Sequence, residues 1–134
     1  MSEFALARTE DVSVTDLSTN DAVPPDLDIR DIGSSLGLEQ ARMKLWYFEP
    51  GEEIQYHAHE EQEEIYYVIQ GEFSLKLGRS GEEEYVTIGP GDFYAARPGI
   101  GHGHRYMGED EGVILAIGAP SVDDPGLDPH SLAD

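Results

Sequence analysis

The chain has 134 residues, of which 39% are hydrophobic, and this is enough for one ordinary domain with a single core. Lysine and arginine total 8 against 28 aspartates and glutamates, which gives a formal net charge of -20. A surface of that sign repels nucleic acid and anionic membranes, so we exclude both as partners. Because the chain has no cysteine, disulfides, cysteine-based zinc fingers and thiol nucleophiles are excluded as well.

The sequence shows neither a membrane-spanning segment nor an export signal. No apolar run approaches the roughly 20 residues that a membrane-spanning helix requires. The N-terminus begins acidic and mixed rather than basic and then apolar, so it lacks the pattern of a secretory signal. We therefore expect a cytoplasmic protein.

The acidic excess is accompanied by only two lysines, Lys44 and Lys76. Such a surface is typical of a protein that works in concentrated salt, where counterions screen its self-repulsion. We therefore predict a halophilic source and a higher melting temperature in molar KCl than in dilute buffer. Equal thermal stability in the two solutions would contradict this prediction.

Residues 1–38 are predicted to form an N-terminal arm outside the main domain. They are polar and contain Pro24-Pro25. Val12 and Val14 alternate with polar residues, which allows one short strand there. The rest is interpreted as an extended arm laid over the domain, or as a partly mobile segment. The aspartates of this arm include Asp21, Asp26, Asp28 and Asp31.

Residues 39–118 are predicted to form the domain as a series of short strands. Alternating or wholly apolar runs, bounded by glycine and proline, indicate eight of them. These runs are 42–48, 54–59, 64–70, 73–77, 85–88, 93–96, 102–107 and 113–117. Gly89-Pro90-Gly91 fits a type II turn, with the second glycine at the position of positive φ. No helical pattern exceeds about three turns, so we predict an all-β fold, either an antiparallel sandwich or a small barrel.

Residues 119–134 are predicted to form an acidic C-terminal tail. They contain Pro120, Pro125 and Pro129 and show no hydrophobic periodicity. We therefore expect the tail to be loose and its His130 to be exposed to solvent. The aspartates of the tail are Asp123, Asp124, Asp128 and Asp134.

Four of the five histidines occur as two His-x-His pairs, His57 with His59 and His102 with His104. Chance placement of five histidines would give only about 0.15 such pairs. Because residues two apart on a strand project to the same face, each pair can direct both imidazoles at one point. Neutral imidazole is the commonest protein ligand of a divalent metal ion, and a nearby carboxylate completes a mixed nitrogen and oxygen set.

The spacing around these histidines resembles the two sequence motifs of the cupin superfamily, in particular of its small single-domain, type 2-like members. The first motif is matched at every fixed position by Gly51-x5-His57-x-His59-x4-Glu64-x6-Gly71. The second motif is resembled by Gly91-x7-Gly99-x2-His102. Two positions of the second motif differ: Arg97 stands where the family has proline, with Pro98 displaced by one, and Tyr106 stands where it has asparagine.

The resemblance covers about residues 45–117 and implies an antiparallel double-stranded β-helix, or jelly-roll barrel, with one metal ion at its centre. It implies that the metal ligands are His57, His59, Glu64 and His102. We expect His57 and His59 to point the same way from one strand, and Glu64 to begin the partner strand opposite them. Three imidazoles and one carboxylate leave one or two open coordination positions, as in catalytic sites. The predicted cofactor is one divalent ion, and manganese, iron, nickel, zinc and copper all accept this ligand set.

Neighbouring residues leave alternatives open at this site. Glu63 could replace Glu64 as the ligand, although strand alternation favours Glu64, which it places on one face with Tyr66. His104 is interpreted as a pocket-wall or supporting residue rather than a ligand. Tyr66 should face the ion, and Tyr66 and His104 are the candidate catalytic residues. Arg97 could contact an anionic substrate or pair with a surface acid.

The resemblance implies a metalloenzyme of the dioxygenase, isomerase, decarboxylase or lyase type, acting on a small polar metabolite. The fold alone does not choose among these activities. The alternative is a non-catalytic module that binds a sugar or another small molecule. A third class, a protein with a purely structural metal ion, requires that no coordination position stays open. Because exposed sheet edges favour association, we also expect a homodimer.

Overall fold

The computed structural model describes residues 3–17 and 27–132, and in them the chain folds almost entirely as β-structure. No helix among these residues is long and apolar enough to cross a membrane. The described strands are β1 (Asp28–Arg30), β2 (Arg42–Phe48), β3 (Glu53–His57), β4 (Glu63–Gln70), β5 (Phe73–Leu77), β6 (Glu84–Ile88), β7 (Phe93–Ala96), β8 (His102–Tyr106) and β9 (Gly112–Ala119). The α-helix α1 is Ile32–Leu36, and two 3-10 helices are Thr9–Asp11 and Pro129–Leu132.

The strands form two sheets in which every pairing is antiparallel. One sheet has five strands in the order β1-β2-β9-β4-β7, and the other has four in the order β3-β8-β5-β6. The chain therefore crosses repeatedly from one sheet to the other, which is the arrangement of a jelly roll. This confirms the predicted fold class.

All eight predicted strands are present, with ends within two residues of those expected. The predicted type II turn is also present, since Gly91 has φ +92° and the Asp92 N–H donates to the Gly89 carbonyl at 3.0 Å. β1 is not predicted from the sequence, because it has three residues with only Ile29 buried, and this is too short for an alternation of polar and apolar residues to be recognised.

The core lies between the two sheets and is rich in aromatic side chains. Phe48, Tyr66 and Phe73 are each 0% exposed. The rings of Phe48 and Phe73, which come from opposite sheets, meet edge to face with their centroids 5.1 Å apart. Pairs in this geometry add about 0.5–1.5 kcal/mol beyond the burial of their area, so they help to hold the two sheets together.

The inward face of β2 changes from aromatic to cationic along the strand. Trp46 is buried in the core, and strand alternation places Lys44 and Arg42 on the same face as Trp46. The register carries this face across the sheet to β4. Read from β2 through β9 to β4, the inward rows are Arg42–Gly118–Glu64, Lys44–Ala116–Tyr66 and Trp46–Ile114–Val68.

Part of the predicted N-terminal arm belongs to the packed fold. β1 pairs with β2, and Leu27 and Ile29 are only 1% and 3% exposed. The short strand expected around Val12 and Val14 is reduced to a single bridge between Val14 and Arg30. The expectations for Asp21, Pro24-Pro25, Asp26 and Asp134 lie outside the described residues.

Glu64 does not begin a strand that pairs with the strand of His57, so that expectation is wrong. β4 pairs with β7 and β9 in the five-stranded sheet, whereas β3 pairs with β8 in the other. Residues 58–62 carry the chain between the sheets, because β3 and β4 are one of the consecutive strand pairs that a jelly roll places in opposite sheets. Glu64 therefore approaches His57 from across the interior.

Candidate metal centre

Four of the side chains singled out in the sequence converge at one end of the space between the sheets. His57 is the last residue of β3, His59 follows in the connection to β4, Glu64 lies in β4, and His102 begins β8. One ligand atom from each can be chosen so that all four atoms lie within 4.8 Å of one another. The structure thus brings together the group that the resemblance implied, and this group could hold a metal ion.

All three imidazoles approach the same oxygen of Glu64. Its Oε1 lies 3.2 Å from Nε2 of His57, 2.7 Å from Nε2 of His59 and 2.8 Å from Nε2 of His102. The side chain of His102 is 2% exposed and that of Glu64 is 13% exposed. The cluster is therefore largely shielded from water, and charges within it interact more strongly than at the surface.

The other ring nitrogen of each imidazole is held by a backbone carbonyl. Because a carbonyl oxygen can only accept, each Nδ1 must carry the hydrogen, and in the neutral ring Nε2 is left with a free lone pair. Three lone pairs then face one carboxylate oxygen, an arrangement that is repulsive unless a cation lies between them. The acceptors are the carbonyl oxygens of Gln55 for His57 (2.7 Å), Asp124 for His59 (2.6 Å) and Ile100 for His102 (3.1 Å).

The donor set fits a divalent metal ion. Ligand atoms that share one ion at about 2.1 Å lie about 3.0–4.2 Å from each other. The four atoms here lie within 4.8 Å, so only small side-chain adjustments separate this arrangement from a coordination shell. Imidazole nitrogen combined with carboxylate oxygen suits the first-row divalent metals.

The electrostatics of the cluster favour a negative Glu64 beside a positive charge. Burial by itself raises the pKa of Glu64, but the imidazoles of His102, His57 and His59 outweigh it and hold that pKa well below its usual range when a proton, in place of a metal ion, lies between Nε2 and Oε1. Burial also lowers the pKa of His102, and at this residue it outweighs the hydrogen bond and the charge of Glu64, which raise that pKa. At His59 burial acts in the same direction, but the hydrogen bond and charge of Glu64 prevail and the pKa is raised.

A cavity of about 750 Å³ opens beside the cluster. His57, His59 and Glu64 line it, so a free coordination position on this side would be accessible to a ligand. Cavities of roughly 300–1,000 Å³ are typical of small-molecule sites. The remaining walls come mainly from β2, β3, β9 and the tail, including Trp46 and Leu127.

Tyr66 faces the cluster as expected from its position two residues after Glu64. Its hydroxyl lies 3.2 Å from Nε2 of His102, and its ring stacks on Tyr94 with centroids 4.5 Å apart. Burial and the charge of Glu64 raise the pKa of Tyr66 well above its usual value, so the phenol stays protonated. Tyr66 does not belong to the cavity wall, and its catalytic role stays a prediction.

His104 shares the inward face of β8 with His102 but lies deeper in the core. Its Nδ1 is 2.7 Å from the Tyr94 hydroxyl, and its ring packs against Trp46 and Phe48 with centroids 5.5 and 5.4 Å away. Burial lowers the pKa of His104 to about 3, so the ring is neutral near pH 7. His104 stands outside both the cluster and the cavity wall, which fits a supporting role; its catalytic role also stays a prediction.

The C-terminal tail is packed against the site, so the expectation that it is loose is wrong for the described residues. The carboxylate of Asp124 accepts hydrogen bonds from the backbone N–H groups of Glu60, Glu61 and Gln62 at 2.7–3.0 Å. Burial by itself raises the pKa of Asp124, but these three donors outweigh it and lower that pKa. A bridge between Ala58 and Leu127 adds two backbone hydrogen bonds, so the tail holds the connection that carries His59.

Asp124→Ala is expected to lower the free energy of unfolding by about 1–3 kcal/mol, because three backbone N–H groups lose a charged acceptor and one of them belongs to the buried Gln62. It should also weaken divalent-metal binding about 10-fold, since supporting partners of metal ligands have effects of this size. Asp123→Ala is the matched control, because Asp123 is the exposed neighbour. Denaturant titration and metal titration measure the two effects. Equal values for the two variants would refute a positioning role for Asp124.

The remaining candidates lie away from the cluster. Glu63 is exposed, so Glu64 and not Glu63 faces the imidazoles. Arg97 is exposed and does not line the cavity. His130 is exposed as expected, although its ring lies 5.6 Å from that of Tyr56. The sequence reading missed Arg42 and Lys44 as cavity residues, although their alternation with Trp46 places them on the inward face.

Comparisons with known proteins agree with the fold. The Cupin_2 family model, described as a cupin domain, matches residues 44–118. No curated protein matches the sequence. Among solved structures, a candidate sugar phosphate isomerase from Acidithiobacillus ferrooxidans is 29% identical with a TM-score of 0.67, over 78% of this chain and 66% of that protein. The chain thus spans just under two thirds of the length of that relative.

Two further structures show the same fold at lower identity. A sugar phosphate isomerase from Silicibacter pomeroyi, of the cupin superfamily, is 24% identical with a TM-score of 0.68, over 84% of this chain and 73% of that one. KdgF from Halomonas sp. is 22% identical with a TM-score of 0.69, over 87% of this chain and 94% of that one. Since the family match covers more than half of the 134 residues and agrees with the observed jelly roll, the chain belongs to the cupin domain family.

Proposed function

We propose that this protein binds one divalent metal ion through His57, His59, Glu64 and His102 and uses it to act on a small polar metabolite. The observation that carries the proposal is the convergence of three Nε2 lone pairs on Glu64 Oε1 beside an open cavity. When bound, the ion supplies a Lewis acid that polarises a carbonyl or carboxylate oxygen of the ligand. The backbone carbonyls that hold each Nδ1 keep the rings oriented for this role.

Among dioxygenase, isomerase, decarboxylase and lyase activities, we propose isomerisation of a sugar derivative as the first to test. The 29% identical Acidithiobacillus ferrooxidans protein, a candidate sugar phosphate isomerase, supports this choice. Aldose–ketose isomerisation moves one proton between neighbouring carbon atoms and another between their oxygen atoms, so the site needs a group that accepts and returns a proton. The Tyr66 hydroxyl, protonated and 3.2 Å from Nε2 of His102, is the candidate for this role.

The alternative function is a non-catalytic module that holds a small metabolite beside a structural ion. One observation favours it: neither of the two candidate catalytic residues, Tyr66 and His104, lines the cavity. The open cavity beside His57 and Glu64 argues against a third class, in which the ion only staples the two sheets.

The test combines metal analysis with activity measurements. The metal content of purified protein, His57→Ala and His102→Ala is compared with that of the matched control His130→Ala, whose imidazole lines the cavity but lies outside the cluster. We expect one metal ion per chain in the wild type and the control, and much less in the two cluster variants. The wild type should release its ion at mildly acid pH, because protons compete for the same nitrogens. The same samples, prepared anaerobically, are screened with and without O₂ against sugars, sugar phosphates and small carboxylates.

Three outcomes distinguish the alternatives. If the cluster variants keep their full metal content, the ligand assignment is wrong. If they lose the ion but keep turnover, the ion is not catalytic. If the metal-loaded protein binds a member of the screen tightly without converting it, the binding module is the better description.

We also propose that the protein is a homodimer, formed through the outer face of the five-stranded sheet. The outward side chains of β2, β9, β4 and β7 include two uncharged rows in a chain of net charge -20, and Phe93 among them is 70% exposed. An identical uncharged face can approach without like-charge repulsion, which favours a second copy as its partner. The rows are Leu45–Leu115–Tyr67–Phe93 and Met43–Ile117–Ile65–Ala95.

Light scattering is expected to give twice the chain mass of 14.8 kDa for the wild type. Phe93→Glu should reduce this to the monomer mass, because it places a charge in the uncharged face. Met107→Glu is the control, since Met107 is 56% exposed and lies outside that sheet. A monomeric wild type, or the same mass for both variants, would exclude this interface.

A further inference from the structure

Three lysines and arginines line the metal cavity in a chain that has few of them. Lys76 has its Nζ 4.3 Å from the centroid of the Tyr56 ring, whereas the other two come from β2. Arg42 and Lys44 account for two of only 8 basic residues, against 28 acidic ones, and both line the cavity. Within the described part of the chain neither has a carboxylate within 4.0 Å, whereas Arg30 is paired with Asp28 at 3.1 Å. Arg42 is exposed and Lys44 is half-buried, so both charges stay hydrated and are available to an anion that enters the cavity.

The register places these cations across the sheet from the metal cluster. Arg42 and Glu64 lie in the same inward row, on strands separated only by β9, which puts them about 10 Å apart. Between them β9 contributes only the small residues Gly118 and Ala116, so the floor there is formed partly by another side chain. The amide of Gln62 lies over Gly118, within 3.4 Å of the position that a side chain at Gly118 would take.

We propose that Arg42 and Lys44 form an anion subsite, which binds a phosphate or carboxylate group of a ligand whose other end reaches the metal cluster. The proposal rests on the proposed function for the metal end of the ligand. An anion of the size of oxalate does not fit this role, because its two carboxylates share one C–C bond of about 1.5 Å and cannot span the floor. The geometry instead points to an anionic sugar derivative, such as a sugar phosphate or a sugar acid.

The charge distribution around the cavity assigns the anionic group to the β2 side. Asp123 and Asp128, from the tail, also line the cavity and would repel it, so the anionic group belongs at the cations of β2. The carboxylate of Asp124 is already bound to three backbone N–H groups. Because the whole chain carries a net charge of -20, an anion is repelled at long range, and only local cations can compensate for that repulsion.

The test is calorimetric titration of the metal-loaded protein with glucose 6-phosphate, gluconate, glucose and oxalate. We expect one or both of the anionic sugars to bind at least about 10-fold more tightly than glucose, since hydrogen bonds to charged groups have effects of this size. Whether glucose 6-phosphate or gluconate binds more tightly shows whether the subsite prefers a phosphate or a carboxylate group. Lys44→Met and Arg42→Gln should each remove most of this preference and leave oxalate binding unchanged.

Arg97→Gln is the matched control, because it removes the same charge from an exposed position outside the cavity. If Arg97→Gln weakens the anionic sugars as much as Lys44→Met does, the effect is general electrostatics and the subsite is excluded. Equal affinity of the wild type for glucose and for both anionic sugars excludes it too. The metal content of each sample is measured in parallel. Protein that holds no ion contradicts the proposed function, whereas protein that holds its ion but shows no preference for anionic sugars contradicts only the subsite.

Discussion

Glu64→Gln is expected to weaken binding of a divalent metal ion by at least about 100-fold, or about 2.8 kcal/mol. Loss of a partner that only supports a metal ligand already costs 10–100-fold, and Glu64 is the one carboxylate among three neutral imidazoles. The substitution keeps the shape of the side chain but removes the charge that the three Nε2 atoms surround at 2.7–3.2 Å. Competition of the protein with a metal-sensitive dye measures the affinity directly.

Glu63→Gln is the matched control, because Glu63 precedes Glu64 and is exposed on the other face of β4. It removes the same charge from the chain and should leave metal affinity within about 2-fold, since surface charges far from the ion are screened. Similar losses in the two variants would mean that net charge rather than coordination determines the affinity. A larger loss in Glu63→Gln would reinstate Glu63 as the ligand.

The positions of His57, Glu64 and His102 could be predicted because their signals are local. Strand alternation places Glu64 on one face with Tyr66, and Tyr66 proves to be fully buried. Strand alternation cannot predict that residues on different strands lie close together, but the motif spacing predicts that Glu64 lies near His57 and His102. What the spacing could not show is which sheet carries each residue, because that depends on how β3 and β4 are paired.

The position of His59 could not be derived from alternation. β3 ends at His57, so His59 is not on the strand, and its ring is oriented by the carbonyl of Asp124 at 2.6 Å. Asp124 is 65 residues away in an acidic, proline-containing segment that shows no periodicity. Nothing local distinguishes it from the other tail aspartates, because its role depends on three N–H groups that a turn elsewhere presents to it.

β3 also departs from simple alternation before it reaches His57. Ile54 pairs with His104 and His57 pairs with His102, so three residues of β3 correspond to two of β8. This bulge places Ile54 and His57 on the same inward face although they are an odd number of residues apart. A bulge depends on close contact with the partner strand, and the partner residue at this point is Gly103. In the His-x-His pattern Gly103 is only the unspecified residue between two histidines, so the pattern does not predict the bulge.

Gly103→Ala is therefore expected to destabilise the protein, because the added methyl group has no free space. A Cβ at Gly103 would lie 2.8 Å from the Ile54 carbonyl oxygen, 2.9 Å from the Tyr56 nitrogen and 3.0 Å from the Gln55 carbonyl carbon. All three are backbone atoms of β3, which cannot rotate away as a side chain can. Overpacking of this kind costs about 1–3 kcal/mol, and relief requires β3 and β8 to move apart.

That movement would also separate His57 from His102, whose backbones are paired at the end of the same two strands. Gly103→Ala should therefore lower both the midpoint of denaturant unfolding and the affinity for a divalent metal ion. Gly89→Ala is the control, because a Cβ there meets no atom within 4 Å and the backbone has no positive φ. If the two variants unfold at the same denaturant concentration, the close approach of β3 to β8 does not require a glycine at position 103. If Gly103→Ala loses stability but keeps its metal affinity, the ligands are positioned independently of this strand pair.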